Sequence, residues 1–194
     1  MRSSKESIEA MLREQLIYIG ENPDREGLKG TPERVVRMWK EIFRGYDPKQ
    51  KPKITTFSNG LDGVSYDQMV TDTGDYFSHC EHHMVPFFGQ YYFGYIPSEN
   101  GHVLGLSKVA RIVDYYSAKL QIQERLVNDI VKELWNALCL DRTSPVGMGL
   151  VMKGEHLCKT MRGAKKKGLM TTSKFKGIFL DNPEVRSEFL TFIK

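Results

Sequence analysis

Cysteine is scarce in this chain: three in 194 residues, odd in number and unevenly spaced. That excludes a secreted disulfide scaffold and favours a reducing compartment, where each Cys needs a metal, catalytic or packing role. Long apolar runs are missing too. The nearest, from His82 to Ser98, lacks Asp, Glu, Lys and Arg but contains Pro86, Gly89, Gln90, Gly94 and Pro97, and falls short of the ~20 residues a membrane span needs. Charge of one sign is also lacking. Lys and Arg total 28 against 24 Asp and Glu, a net +4 that does not by itself announce a nucleic-acid binder. Neither GxGxxG nor GxxxxGK[ST] occurs, so dinucleotide and P-loop folds are excluded. The opening Met1–Glu6 mixes charges without an apolar core, which predicts no leader. A cytoplasmic protein with no membrane partner is the expectation.

What is present reads as α+β. Ile8, Met11, Leu12, Leu16 and Ile19 share a helical face that Gly20 ends, and Thr31-Pro32 reads as an N-cap followed by proline at the first helical position. Val35, Trp39, Ile42 and Phe43 continue the second helix to Gly45. A helical hairpin over residues 1–50 and a second domain over 51–194 follow. Residues 53–57, 68–80 and 87–96 are rich in aromatic and β-branched residues and predict strands. Ser107 reads as the cap of a helix over 109–116. A longer helix begins near Gln121, and strands are predicted over 149–154 and 170–180. Helices, strands, a long helix and strands again indicate a mostly antiparallel sheet, not a βαβ series.

The densest chemistry is Cys80-Glu81-His82-His83. Cys-x-x-His brings a thiolate and an imidazole to one tetrahedral ion, and zinc accepts both. The third ligand is expected in Glu155-His156-Leu157-Cys158, at Cys158. Three protein ligands leave a fourth position for water, which zinc can bring to a pKa of roughly 7. His82 and His156 are then left for proton transfer. A lone Cys-x-x-His is more often a buried thiol near a chance His; two Cys/His clusters tip the balance to metal. His79 is a rival ligand that strand alternation would point the other way. His102, beside Gly101, reads as a surface turn residue, and Cys139 as helix packing. From Lys159 to Lys176 seven basic residues occur with no acid, beginning one residue past the proposed ligand. A solvated face or a nucleic-acid surface would both explain that run, but its place beside a metal fits an anionic small substrate. Ser107, Lys108 and Arg111 sit at a helix N-terminus, where an anion is favoured as readily as an ordinary cap. Gln123-Glu124-Arg125 offers an amide beside a carboxylate that could read a purine edge, although helix surfaces often carry such residues.

Together these segments resemble GTP cyclohydrolase I. The resemblance rests, in order, on 22–28 (NPDREGL), 31–35 (TPERV), 80–83 (CEHH), 105–108 (GLSK), 111–113 (RIV), 121–126 (QIQERL), 155–158 (EHLC) and 161–163 (MRG). It implies a tunnelling fold, an antiparallel sheet with two helices on one side whose copies join into a barrel, and a homodecamer of two pentamers with sites at subunit interfaces. It implies zinc on Cys80, His83 and Cys158, and proton transfer by His82 and His156. Gln123 and Glu124 would read guanine. Ser107, Lys108, Arg111 and Arg162 would hold the ribose triphosphate, with Arg34 reaching it from a neighbouring subunit. The implied reaction opens the imidazole ring of GTP at C8, releases formate and recloses to 7,8-dihydroneopterin triphosphate. Ala118-Lys119 and Lys159 depart from the family's habit near the phosphates. The rivals are another tunnelling-fold pterin or deazapurine enzyme, and a non-enzymatic zinc module that binds nucleic acid through 159–176.

Overall fold

The computed structural model describes residues 4–60, 63–141 and 143–193; Met1–Ser3 of the opening segment lie outside them. The chain divides into two compact units, one ending at Arg44 and the other beginning at Gly45.

The first unit holds α1 (Lys5–Tyr18) and α2 (Thr31–Ile42). Ser4 caps α1 by accepting the Ser7 N–H, and Gly20 ends the run at φ +92°. Of the predicted α1 stripe Leu12 is buried, while Met11 and Ile19 are exposed. The start of α2 differs from the expected Thr31 cap. Gly30 is the N-cap, Thr31 is already helical, and its N–H bonds Leu28 O at 2.9 Å, so no side chain caps the helix.

The second unit is α+β with a mixed sheet. Its strands are β1 (Thr56–Ser58), β2 (Val70–Cys80), β3 (Pro86–Ile96), β4 (His102–Leu104), β5 (Leu120–Gln121), β6 (Gly147–His156) and β7 (Leu169–Gly177). Its main helices are α3 (Lys108–Ser117) and α4 (Gln123–Leu138), followed by α5 (Leu157–Thr160), α6 (Ile178–Asp181) and α7 (Pro183–Thr191). Five strands pair in the order β5-β2-β3-β6-β7, all antiparallel except β5 on β2; β1 and β4 form a separate ribbon. Ile112, Val113, Leu126, Ile130 and Leu134 of α3 and α4 pack on Tyr76, Phe87, Tyr91, Phe93, Met148 and Met152 of the sheet. Burying that much apolar side-chain area is the main drive to fold.

The opposite face is covered at one end by Phe179 and Phe189 from α6 and α7, packed on Tyr92 and Val151. This cover is additional to the two helices expected on one side, since α3 and α4 share the other face. It also explains why Tyr91–Tyr95 is buried without alternation: that stretch of β3 has protein on both faces. The strand predicted over 170–180 stops at Gly177. There φ is +58° and a Cβ would strike Val146 O, so only glycine lets the chain turn into α6. His102, expected in a surface turn, is a β4 residue whose side chain is 14% exposed and faces Asp141 at 3.7 Å. Cys139, expected to pack, is the exposed C-cap of α4. Among the described residues no helix is long and apolar enough to cross a membrane.

Candidate active site

Strand β2 ends at Cys80, and the turn after it returns the chain to β3. Cys80 N–H bonds Val85 O at 2.9 Å, Met84 N–H bonds Cys80 O at 2.7 Å, and Met84 takes φ +57° to close the turn. This leaves His82 and His83 exposed at the sheet end while the Cys80 thiol is buried. Two strands away β6 ends at His156, and α5 follows at once with Cys158. The pairing of Phe87 with His156 brings the two ends together.

The result is one tight donor group. Ligand atoms of Cys80, His83 and Cys158 all lie within 4.8 Å of one another. Cys80 Sγ is 3.8 Å from His83 Nδ1, close to the ~3.5 Å spacing of two ligands held at about 2.3 and 2.0 Å around one tetrahedral zinc. Burial, then the neighbouring Cys80 thiol, push the Cys158 thiol above its ordinary pKa. Two sulfurs and one imidazole are a borderline-soft set that suits zinc. His79 occupies the alternate face of β2 from Cys80.

His82 Nδ1 also stands 3.8 Å from Cys80 Sγ. His156 is fixed from two sides. Its ring stacks on Phe87 at 4.4 Å and 5°, and its Nε2 lies 2.8 Å from Gln123 Oε1. Gln123 is 1% exposed, and its amide nitrogen donates to Met152 O, Met170 O and Thr172 Oγ1 at 2.9–3.1 Å. The amide oxygen must therefore face His156 and the Tyr76 hydroxyl, which donates to it at 3.1 Å. A ring that donates from Nε2 keeps its lone pair at Nδ1 when neutral. Burial lowers the His156 pKa, opposed by the Glu124 carboxylate, so the neutral ring persists to lower pH than for a free histidine.

Gln123 thus departs from the expected role of reading a base: every donor of its amide is used inside the protein. Glu124, next on α4, is exposed and close enough to act electrostatically on His156. Arg162 is exposed, with Nη1 2.9 Å from His83 Nε2, so it joins the group. Lys165, Lys166 and Lys167 are exposed beyond it.

Ser107, Lys108 and Arg111 do not join it within one chain. Ser107 is the N-cap residue of α3, but its side chain makes no capping bond, contrary to expectation. The start of α3 follows Leu104, whose N–H bonds the Tyr95 hydroxyl, and Tyr95 pairs with Val70 at the far end of β2 from Cys80. The other end of α3 leads through β5 to Gln121, which pairs with Cys80. The ten-residue helix alone puts ~15 Å between the two ends. The expectation that all the basic residues converge on one compact anion fails for a single copy. Arg34 is exposed on α2 of the first unit, with its N–H bonded to Gly30 O.

Sequence reasoning passed over Tyr76, Phe87 and Thr172. Each looks like an ordinary strand residue, and only the sheet register brings them to His156 and Gln123.

A family model described as GTP cyclohydrolase I matches residues 8–194. A protein named GTP cyclohydrolase 1 from Caldanaerobacter subterraneus subsp. tengcongensis is 45% identical over 190 residues, 97% of this chain and 96% of its own length. Another of that name from Acetivibrio thermocellus is 45% identical over 192 residues, 97% of both chains. One from Sinorhizobium fredii is 40% identical over 195 residues, 100% of this chain and 91% of its own.

Proposed function

This chain belongs to the GTP cyclohydrolase I family, and from that premise we propose that Cys80, His83 and Cys158 form the zinc centre at which it opens GTP, releases formate and yields 7,8-dihydroneopterin triphosphate. The observation that carries the reading is the donor group itself: two thiols and an imidazole within 4.8 Å, flanked by His82 and Arg162. Incubating the purified protein with GTP tests it. Formate and a pterin that fluoresces after oxidation are expected, and their absence with zinc bound overturns the reading.

Cys80, His83 and Cys158 would hold the zinc, which would bring the pKa of a water to roughly 7 and so supply hydroxide at neutral pH. The chain's own residues do the rest. His156, held with its Nδ1 lone pair free, picks up a proton there and delivers it to the purine imidazole nitrogen as C8 is hydrated. His82, exposed beside Cys80, is the second proton carrier. The Glu124 carboxylate accepts from guanine N1–H and the 2-amino group, a donor pair adenine lacks. Gln123 orients His156. The reaction consumes one net water and leaves the triphosphate uncut, so the basic residues only bind it. Arg162, exposed beside His83, is available to bind the phosphate anion.

A Cβ on Gly154 would run into the Tyr76 hydroxyl and Gln123 Oε1. Gly154→Ala should therefore disturb the His156 support and lower kcat by roughly tenfold to a hundredfold while zinc content holds. An unchanged kcat would detach this network from catalysis.

Because α3 carries Ser107, Lys108 and Arg111 away from its own metal group, we assign the phosphate half of each site to a neighbouring copy. That fits a tunnelling-fold homodecamer of two pentamers, working in the cytoplasm, with Arg34 available to a third contact. Mixing tests it. Lys108→Ala and Cys80→Ser chains should each be inactive, yet co-assembled they should regain roughly a quarter of full activity, as random pairing reunites intact halves. No recovery in verified mixed oligomers would place both halves in one chain.

A further inference from the structure

Glu81, between the ligand residues of the turn, and Arg125, directly after Glu124, are charged residues of the site segments without a part in the reaction derived above. They form an ion pair through Arg125 Nη2. The same Nη2 donates to Leu120 O at 3.1 Å, and Arg125 Nε donates to Gln121 Oε1 at 2.9 Å. Gln121 is itself anchored: its Nε2 donates to Tyr116 O at 3.0 Å, and its carbonyl accepts the Glu81 N–H at 3.1 Å. One guanidinium therefore ties together the metal-binding turn, β5 and the first turn of α4.

The turn needs such a tie. His82, His83 and Met84 are exposed, Met84 has positive φ, and the His83 N–H to Cys80 O bond is long at 3.4 Å. Little apolar contact can hold the His83 ring where the two thiols require it. As a stability element, a pair whose side chains are 42% and 32% exposed is worth little. As a geometric element it is stronger, because the planar fork meets three acceptors on two segments, the turn and β5, at fixed angles.

We propose that Arg125, acting through Glu81, is a positioning residue that fixes the metal-binding turn against the helix presenting Glu124. It thereby holds zinc and sets its distance from the bound base. This rests on the zinc reading of Cys80, His83 and Cys158. Partners that orient a metal ligand from behind typically change metal affinity by about 10- to 100-fold.

Zinc release to a chromophoric chelator tests the tie, using the unmodified protein, Glu81→Gln, Arg125→Met, the double variant and Arg125→Lys. Circular dichroism establishes that each is folded, and Glu81→Gln is nearly isosteric at a half-exposed turn position. Release should be about tenfold faster in each of the first two. In the double variant it should be no faster than in the more affected single, since both changes cut one link. Arg125→Lys should fall between, because an ammonium can meet Glu81 but cannot fork to Leu120 and Gln121. The KM for GTP should rise with the release rate. Folded variants that release zinc as slowly as the unmodified protein, or a double variant with multiplied effects, would overturn the tie and leave the metal centre standing. An unmodified protein that takes up no zinc would overturn the metal reading instead.

Discussion

Replacing Cys80 or Cys158 with Ser should remove zinc and GTP turnover together, the largest effect expected of any single substitution. A serine hydroxyl stays protonated at neutral pH and is a poor ligand for a borderline-soft cation, so each change leaves a two-ligand remnant. Cys80 is 5% exposed at the end of β2. Cys158 follows His156 by two residues, on the first turn of α5, and the geometry that delivers one delivers the other. The secondary structure should survive, because the core of the second unit is built from α3, α4 and the sheet, not from the metal group. Elemental analysis after dialysis, formate release from GTP and circular dichroism check the three parts. Full zinc occupancy in both folded variants would remove these cysteines from the centre.

His156→Ala and His82→Ala should behave in the opposite way, keeping zinc and losing turnover by ~10²–10⁴-fold, the usual worth of a general acid or base. Neither ring is needed as a ligand once Cys80, His83 and Cys158 are in place. His156 is also the more immobilised of the two, between the Phe87 ring and the Gln123 amide. Its loss should be poorly rescued by any residue that cannot both stack and accept a proton at the Nδ1 position. His156→Gln, with polarity but no titratable ring, should stay as slow as His156→Ala. Zinc content measured beside single-turnover rates with GTP separates the two roles. A metal-free His82 or His156 variant would make that residue a ligand and undo the assignment.

Much of the site is local in sequence, which is why it can be read there. Cys80 and His83 are three residues apart, His156 and Cys158 two, and Gln123 and Glu124 adjacent, so each pair arrives together whatever the fold does around it. The same holds for the helices and the aromatic strands, whose apolar spacing reflects which face must be buried. Reading failed where a residue's surroundings come from elsewhere in the chain. Gln123 looks like a surface amide beside a carboxylate, yet β6 and β7 pass over it and take up all its donors. Thr31 and Ser107 look like caps, but backbone placement leaves neither making a cap bond. α6 was hidden in the end of an apparent strand because Gly177 turns the chain by a conformation that a pattern of apolar residues does not record.

The sequence by itself determined the α+β order and the family and offered the candidate ligands and proton carriers, because ordered short motifs carry chemistry without needing distances. Tertiary structure alone decided which of those motifs meet. Sheet register brings the end of β2 to the end of β6 and so joins Cys80 and His83 with Cys158, His156 and Arg162. The rigid length of α3 sends Ser107, Lys108 and Arg111 to the other end of the sheet. The physical reason is that chain order fixes what a segment can bind. Long-range hydrogen bonding and packing fix where it binds, and a helix of ten residues cannot bend to bring its two ends to one ligand.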